Sequence, residues 1–322
     1  MLLLGFCFPA WSLQTYSIEK DKIKTIEVVG FNGDLSLNHN VSSQYTVQIE
    51  QKENQEVESW PHKVYTEDGV LKVVVLGSQS KSDWQEALRN KKEPSLNITV
   101  SGPSVPIMVS WRRGQLVSKN WQSSLGFRGI VNQLQILGGR GGIRANVQNG
   151  SVTVQNYEGS LVLEGFQAAV NIVNSKGDVL VNNFSGNTIV NQHDGFINLK
   201  SEKGNLNVSK GKGRIEFRSG LAPVSIDDFE GGIRGDAAQG AVKISAAEEV
   251  DLNVRSDKAA VDIQLKNSGA YLNIGTKDGV MRTAPYLKVT RYPNIKVIRG
   301  RLRGNVKGKV FVRSQAGDIV VR

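Results

Sequence analysis

The sequence predicts an all-β chain: a single elongated parallel β-solenoid (β-helix) of nine-residue strand-plus-corner units, with one short charged excursion. Three observations predict it. First, Gly150, Gly159, Gly177, Gly186, Gly195, Gly204, Gly213, Gly231 and Gly240 fall on one nine-residue grid, and the two gaps hold Ala168 and Ala222. Glycine is about a tenth of the chain, so nine glycines in eleven grid slots mark an internal repeat. Second, each grid residue is followed by one variable residue and then by apolar, variable, apolar. Examples are Val152 and Val154, Leu161 and Leu163, Val170 and Ile172, Val179 and Val181, Ile197 and Leu199, Leu206 and Val208, Ile215 and Phe217, Val224 and Ile226, and Val242 and Ile244. Alternation at period two puts both apolar side chains on one face of a strand. Third, the other positions are Gly, Asn, Ser, Asp and Lys, the residues of turns. Glycine recurs because a tight corner often needs positive φ.

One strand and one corner every nine residues leave no room for a helical crossover, which needs a dozen residues or more. A β-solenoid or an antiparallel meander or barrel remains. Strict phase favours the solenoid, because equivalent corners must lie above one another. Two units per coil make an eighteen-residue turn and three make twenty-seven. Phe166 and Phe184 are eighteen apart, whereas Tyr157 and Phe184, like Asn171 and Asn198, are twenty-seven apart. An asparagine ladder would suit the longer turn. The shorter turn is preferred and both stay open.

Taken in order, residues 1–12, MLLLGFCFPAWS, read as a signal-peptide-like segment. Leu2 to Phe8 form the apolar core, and Ala10 and Ser12 are small residues before a cut at Leu13. The run is too short to span a membrane. Cys7, the single cysteine, lies inside it, so the mature chain would hold neither disulfide nor thiol nucleophile. A buried N-terminal strand is the plainer alternative.

Residues 13–94 read as N-terminal strands with a charged excursion. Ile26 and Val28, Leu35 and Leu37, and Val47 and Ile49 carry the strand pattern, and Leu71 to Val75 form a further strand. Residues 82–89 suggest a short helix, with Ser82 and Gln85 spaced as a capping box. Regular solenoid is expected over 95–281, beginning with Ile98 and Val100, Ile107 and Val109, Leu125 and Phe127, and Leu134 and Ile136. Trp111 beside Arg112 and Arg113 is a candidate sugar contact. The reading preferred is that Trp111 and Trp121 plug an open end of the coil, since a solenoid needs its apolar ends covered. After Ile244 the phase slips (Leu252 and Val254, Val261 and Ile263, Leu272 and Ile274), as expected of terminal repeats.

Residues 282–322 read as a basic cap. They carry eleven Lys or Arg against one acid, Asp318, a surplus equal to the whole chain's net +10. The segment still alternates, at Leu287 and Val289, Ile295 and Val297, Val310 and Val312, and Ile319 and Val321, so its charge should lie on ordered strands. The candidate polyanion-binding residues are Arg291, Lys296, Arg299, Arg301, Arg303, Lys307, Lys309 and Arg313. A positive field attracts polyanions. Envelope polysaccharide, anionic lipid or a surface protein is the expected partner. Nucleic acid is disfavoured, because the arginines are not interleaved with a stacking set beyond Tyr286 and Tyr292. Protection of a terminal strand edge is the competing explanation for the charge.

Catalytic signals are thin. His39, His62 and His193 are scattered, with no metal-helix spacing and no nucleophile elbow. Asp227, Asp228 and Glu230 form the best acidic cluster, which could hold calcium but reads first as a solvated corner. Gly138 to Gly142 lacks the Lys-Ser/Thr and helix of a phosphate loop. No metal or cofactor is expected.

The run from Ile26 to Leu35 and the repeated Gly-x-hydrophobic-x-hydrophobic units resemble the bacterial "putative adhesin" families of β-strand repeats, exported proteins grouped with autotransporter-adhesin heads. The resemblance covers about residues 23–275. It implies a β-helical fold and an envelope location, and brings no catalytic residues. The expectation is a non-enzymatic, exported (periplasmic, cell-surface or secreted) binding or scaffold protein, with adhesion among its uses. A carbohydrate-active β-helix enzyme and a self-assembling structural protein are the alternatives.

Overall fold

A computed structural model describes residues 13–51, 62–75, 96–266 and 268–322. The segment 1–12, the expected helix at 82–89, and Trp60 and Trp84 lie outside the described residues. Among those described, the chain is all-β, with nineteen strands and one 3-10 turn, Lys20–Lys22. It divides into two compact units, Met1–Thr153 and Val154–Arg322.

The apolar pairs form the core. Every pair named above from Ile26 to Ile274 whose members alternate along a strand is buried, from Ile26, Val28, Leu35 and Leu37 at 0 % exposure to Phe217 at 4 %. Burying one such side chain is worth roughly 1.5–3 kcal/mol, so the alternation itself stabilises the strands.

In the first unit, β1 (Gln14–Glu19), β2 (Thr25–His39), β3 (Gln44–Gln51), β4 (His62–Glu67), β5 (Val70–Val75), β6 (Leu96–Gly102) and β7 (Ile107–Trp121) lead into β8 (Leu125–Asn183). β2 pairs in parallel with β7 and, on its other edge, with β5 and β6. β7 pairs in parallel with β8 at an eighteen-residue interval, Ile107 opposite Leu125 and Leu116 opposite Leu134. The opening strands are not all parallel: β3 runs antiparallel to β1 and β6, and β4 antiparallel to β5. The charged excursion thus contains a hairpin, His62–Glu67 with Val70–Val75, turning through Asp68 and Gly69 at positive φ.

Trp111 does not plug an end. Trp111 is 1 % exposed and lies in register between Gly30 of β2 and Gly129 of β8. A Cβ at Gly30 would collide with its ring. Its Nε1–H donates to the Gly33 carbonyl at 3.0 Å, and Trp121 Nε1–H donates to the Val105 carbonyl at 3.0 Å. Each indole is therefore packed and satisfied inside the unit, which removes Trp111 as a sugar contact.

In the second unit, the end of β8 is followed by β9 (Thr188–Ser201), β10 (Leu206–Ser219), β11 (Val224–Ala237) and β12 (Val242–Ser256). Each is bent into a first and a second leg, and each pairs in parallel with the next. Val170 lies opposite Thr188, Leu206 opposite Thr188 and Val224, and Val224 opposite Val242, all eighteen apart. Legs of one kind thus lie side by side, forming a first stack and a second stack. Asn171 faces Ile189 and Asn198 faces Glu216, so these asparagines lie in different stacks and form no ladder together.

The bend between legs explains the grid. Asn156, Asn174, Gln192, Lys210 and Asp228 sit in the left-handed region at φ +50 to +55, and three residues on, Gly159, Gly177, Gly195, Gly213 and Gly231 have φ between +118 and +141. Side chains rarely adopt that second conformation. Asn174 Nδ2–H also donates to Asn156 Oδ1 at 2.6 Å, tying one bend to the next. Of the alternate grid positions, Gly150 still has φ +122, whereas Gly186, Gly204 and Gly240 have no positive φ and are held to glycine only by close approach to the previous turn's carbonyls. Alanine stands at two positions of this second kind, Ala168 and Ala222, both buried.

The remaining strands are β13 (Val261–Leu265), β14 (Ser268–Thr276), β15 (Met281–Arg282), β16 (Val289–Tyr292), β17 (Ile295–Arg301), β18 (Asn305–Ser314) and β19 (Ile319–Val321). The register slips to nineteen at Val242 opposite Val261. β18 then lies between β12 and β14, and β19 between β13 and β15, parallel to both neighbours in each case. β16 and β17 form an antiparallel hairpin on β14. The basic segment is therefore not a terminal edge as a whole, because two of its strands are paired on both sides. Leu287 and Val289 are not a buried pair either: Leu287 closes a turn onto Ala284, and Val289 is 45 % exposed.

Candidate functional site

The second stack places its outward-facing charges in rows. Where Ile197 and Leu199 point inward, Phe196, Asn198 and Lys200 point outward, and the register sets Arg214, Glu216 and Arg218 beside them. Gly232, Arg234 and Asp236 follow, then Asp251, Asn253 and Arg255. Next come Lys309, Phe311 and Arg313 of β18, then Tyr271, Asn273 and Gly275 of β14, then Arg301 and Arg299 of β17. Neighbouring strands lie about 4.8 Å apart, so these side chains form columns across the sheet. From β9 to β17 the outward positions hold nine basic residues against three acids, Glu216, Asp236 and Asp251.

Local contacts orient this face. Arg214 pairs with Glu216 and lies 6.0 Å from the Phe196 ring centre. Arg313 lies 4.2 Å from the Phe311 ring centre and donates to Asn273 O at 2.9 Å and Asn273 Oδ1 at 2.8 Å. Burial, and then the neighbouring Arg299 charge, lower the pKa of Arg313. The Asp251 carboxylate accepts from the backbone N–H of Lys309 at 3.1 Å.

The structure brings together Arg299, Arg301, Lys309 and Arg313 of the expected set. Arg291 is exposed on β16 opposite Lys296, whose Nζ donates to the Gly279 carbonyl at 2.9 Å. Arg303 lies over the Tyr286 ring, 4.7 Å from its centre, away from the rows. The Lys307 side chain lies outside those described. Sequence reasoning missed Lys200, Arg214, Arg218, Arg234 and Arg255. Their signal was available as the charge of outward positions on every second unit, but it disappears when all units are added together.

The first stack differs. From β9 to β15 its outward positions are chiefly Ile189, Asn191, Asn207, Ser209, Ser225 and Ser245, with two bases (Lys243, Arg282) and two acids (Asp227, Asp262) within the strands; Lys266 and Arg322, one residue past β13 and β19, add two bases that pair with those acids. The acidic corner is occupied by lysines: Lys266 Nζ is 3.3 Å from Asp227 and 4.0 Å from Asp228, and Lys212 Nζ is 3.4 Å from Glu230. A hydrogen bond from Ser245, with Lys266 beside it, lowers the Asp227 pKa. No group of three metal-ligating side chains occurs among the described residues.

His193 is buried inside the bend, between Ser175 Oγ (2.8 Å from Nδ1) and the Gly177 carbonyl (3.0 Å from Nε2). With Nε2 as donor and Nδ1 as acceptor, the neutral ring satisfies both contacts. Burial lowers its pKa. The hydroxyl and the carbonyl together hold the ring inside the bend.

No protein-family model matches the chain, and no curated protein matches it. Two solved structures are similar along most of their length. One is a "putative cell adhesion protein" from Clostridium sporogenes, 12% identical with a TM-score of 0.19, covering 97% of this chain and 98% of that one. The other is a "putative adhesin" from Bacteroides fragilis, 13% identical with a TM-score of 0.28, covering 97% of each chain. At these values neither likeness carries an argument about function. No helix among the described residues is long and apolar enough to cross a membrane.

Proposed function

We propose that the chain is a non-enzymatic, exported β-solenoid with eighteen-residue coils that binds a linear anionic polymer of the cell envelope along its second stack, as an adhesin or scaffold. One observation supports this most: the excess of six basic charges on the outward side of the second stack, against two on the first when Lys266 and Arg322 are counted with it. Like charges about 5 Å apart repel even in water. A rigid sheet that holds them together gains when an anion neutralises them. A polymer with regularly spaced charges matches columns of arginine and lysine better than a compact ligand does, and the guanidinium planes beside Phe196 and Phe311 favour sugar rings carrying carboxylate or sulfate.

The test is retention of the chain on dextran sulfate, with neutral dextran and anionic vesicles as companion arms, at low and high salt. Tight binding to the sulfated polymer should fall with salt and drop at least about tenfold when Arg218, Arg255, Arg299 and Lys309 are changed to Gln. Salt-insensitive binding, or binding untouched by the four changes, would overturn the proposal. Preference for vesicles over polymer would move the partner to a lipid surface.

A further inference from the structure

Away from the rows, β15, β19 and the loops at 283–286 and 302–304 enclose an open pocket of about 540 Å³. That is the size of a small-molecule site. Its lining is chemically divided. Arg282, Arg303 and Arg322 contribute charge, and Leu265, Leu302 and Val321 form an apolar floor, with no Asp or Glu among the lining residues. Arg322 Nη2 donates to Asp262 Oδ2 at 3.1 Å, which holds one of the three in place. Arg303 is held by the other loop: its backbone N–H donates to the Tyr286 hydroxyl at 2.7 Å and its guanidinium lies over the Tyr286 ring. Arg282 ends β15, fixed by its register opposite Val320.

Thr283 lines the pocket between Arg282 and Ala284, but its hydroxyl oxygen is shut off from solvent and offers a ligand no contact, so recognition falls to the arginines.

We propose that this pocket takes one oxyanion carried on a sugar-sized ring, with the acidic terminal residue of a uronic-acid-bearing glycan as its ligand class. The arginines hold the carboxylate through charge-assisted hydrogen bonds, and the apolar floor with Tyr286 supports the ring. This goes beyond the polymer-binding reading, because it adds recognition of a single chain end at a separate place.

The test is calorimetric titration of the full chain with glucuronate, with glucose and inorganic phosphate as companion probes. Glucuronate should bind in the millimolar range or tighter and glucose should not. Phosphate should compete, since it shares the oxyanion. Arg282→Gln should weaken glucuronate about tenfold or more. Arg282 is exposed at the end of β15, so the same change should leave the melting temperature nearly unchanged, which separates lost binding from lost folding. Equal binding of glucose, no glucuronate binding up to about 10 mM, or wild-type affinity in Arg282→Gln would overturn the proposal. The four-residue change in the second stack should leave glucuronate binding intact, so failure here is separable from failure of polymer binding.

Discussion

The first and second stacks of the second unit share one register and one kind of core, yet meet solvent differently. Leu206 and Val208 in the first are buried as completely as Ile215 and Phe217 in the second. Outward, Asn207 and Ser209 face solvent in one, and Arg214, Glu216 and Arg218 in the other. Inward positions answer to packing, which is the same for both legs. Outward positions are free of that demand, so a charge bias stronger on one of them records a different constraint. The contrast extends to the bends: one grid class needs positive φ and is glycine, while the other tolerates alanine.

The comparison can be broken at several points. The largest effect should come from the core, where Ile215→Ala in the second stack and Leu206→Ala in the first should each cost roughly 2–5 kcal/mol by denaturant unfolding. A large inequality would mean that the stacks are not equivalent inside. Next, Gly213→Ala, at φ +123, should destabilise by about 2 kcal/mol. Gly204→Ala should cost less, because Ala168 and Ala222 already occupy the same kind of position. Equal losses would remove the distinction between the grid classes.

A pH effect should follow from His193, on the bend that joins the legs. Its folded pKa is lowered by burial, so below the ordinary value the unfolded chain takes up the proton first. The stability from the neutral ring is full above the unfolded pKa of about 6.5 and is lost as pH falls toward the folded value. The melting temperature should drop on acidification through that window, and less so in His193→Gln. An identical pH profile in the variant would exclude the histidine as the cause. The smallest effect should come from Tyr157, two turns earlier in the same column. Its hydroxyl is buried without a partner among the described residues, and burial pushes its pKa up to about 12. Tyr157→Phe should therefore stabilise by about 1 kcal/mol or less, and a clear loss would show that the hydroxyl has a partner.

Much of the fold was legible because it is local. The apolar pairs sit two residues apart, so strand and buried face follow from adjacent letters, and Phe166 and Phe184, which stack at 5.1 Å, mark the eighteen-residue turn. The strand His62–Glu67 was not legible: its side chains are largely exposed, so no apolar alternation marks it. The site was half legible. Arg299, Arg301, Lys309 and Arg313 announced themselves by crowding in sequence. Lys200, Arg214, Arg218, Arg234 and Arg255 lie in a stretch whose acids balance them, and only the separation into two stacks brings them onto the same face as the tail. Nothing local says that β18 pairs with β12, because the partners are 58 residues apart, Asp251 opposite Lys309.

That long-range pairing has a consequence for how the protein is made. A chain emerging from its N-terminus completes β12, β13, β14 and β15 before β18 and β19 exist. Until then, the later-filled edges of β12 and β14 are open rows of amide and carbonyl groups facing a gap, the kind of edge that captures foreign strands. The last strands enter sideways as a wedge, and their arrival converts two vulnerable margins into continuous sheet. Lys309 and Arg313 arrive with the wedge, between Arg255 of β12 and Arg299 and Arg301 of β17, so the proposed polymer-binding face becomes continuous only when the sheet is sealed.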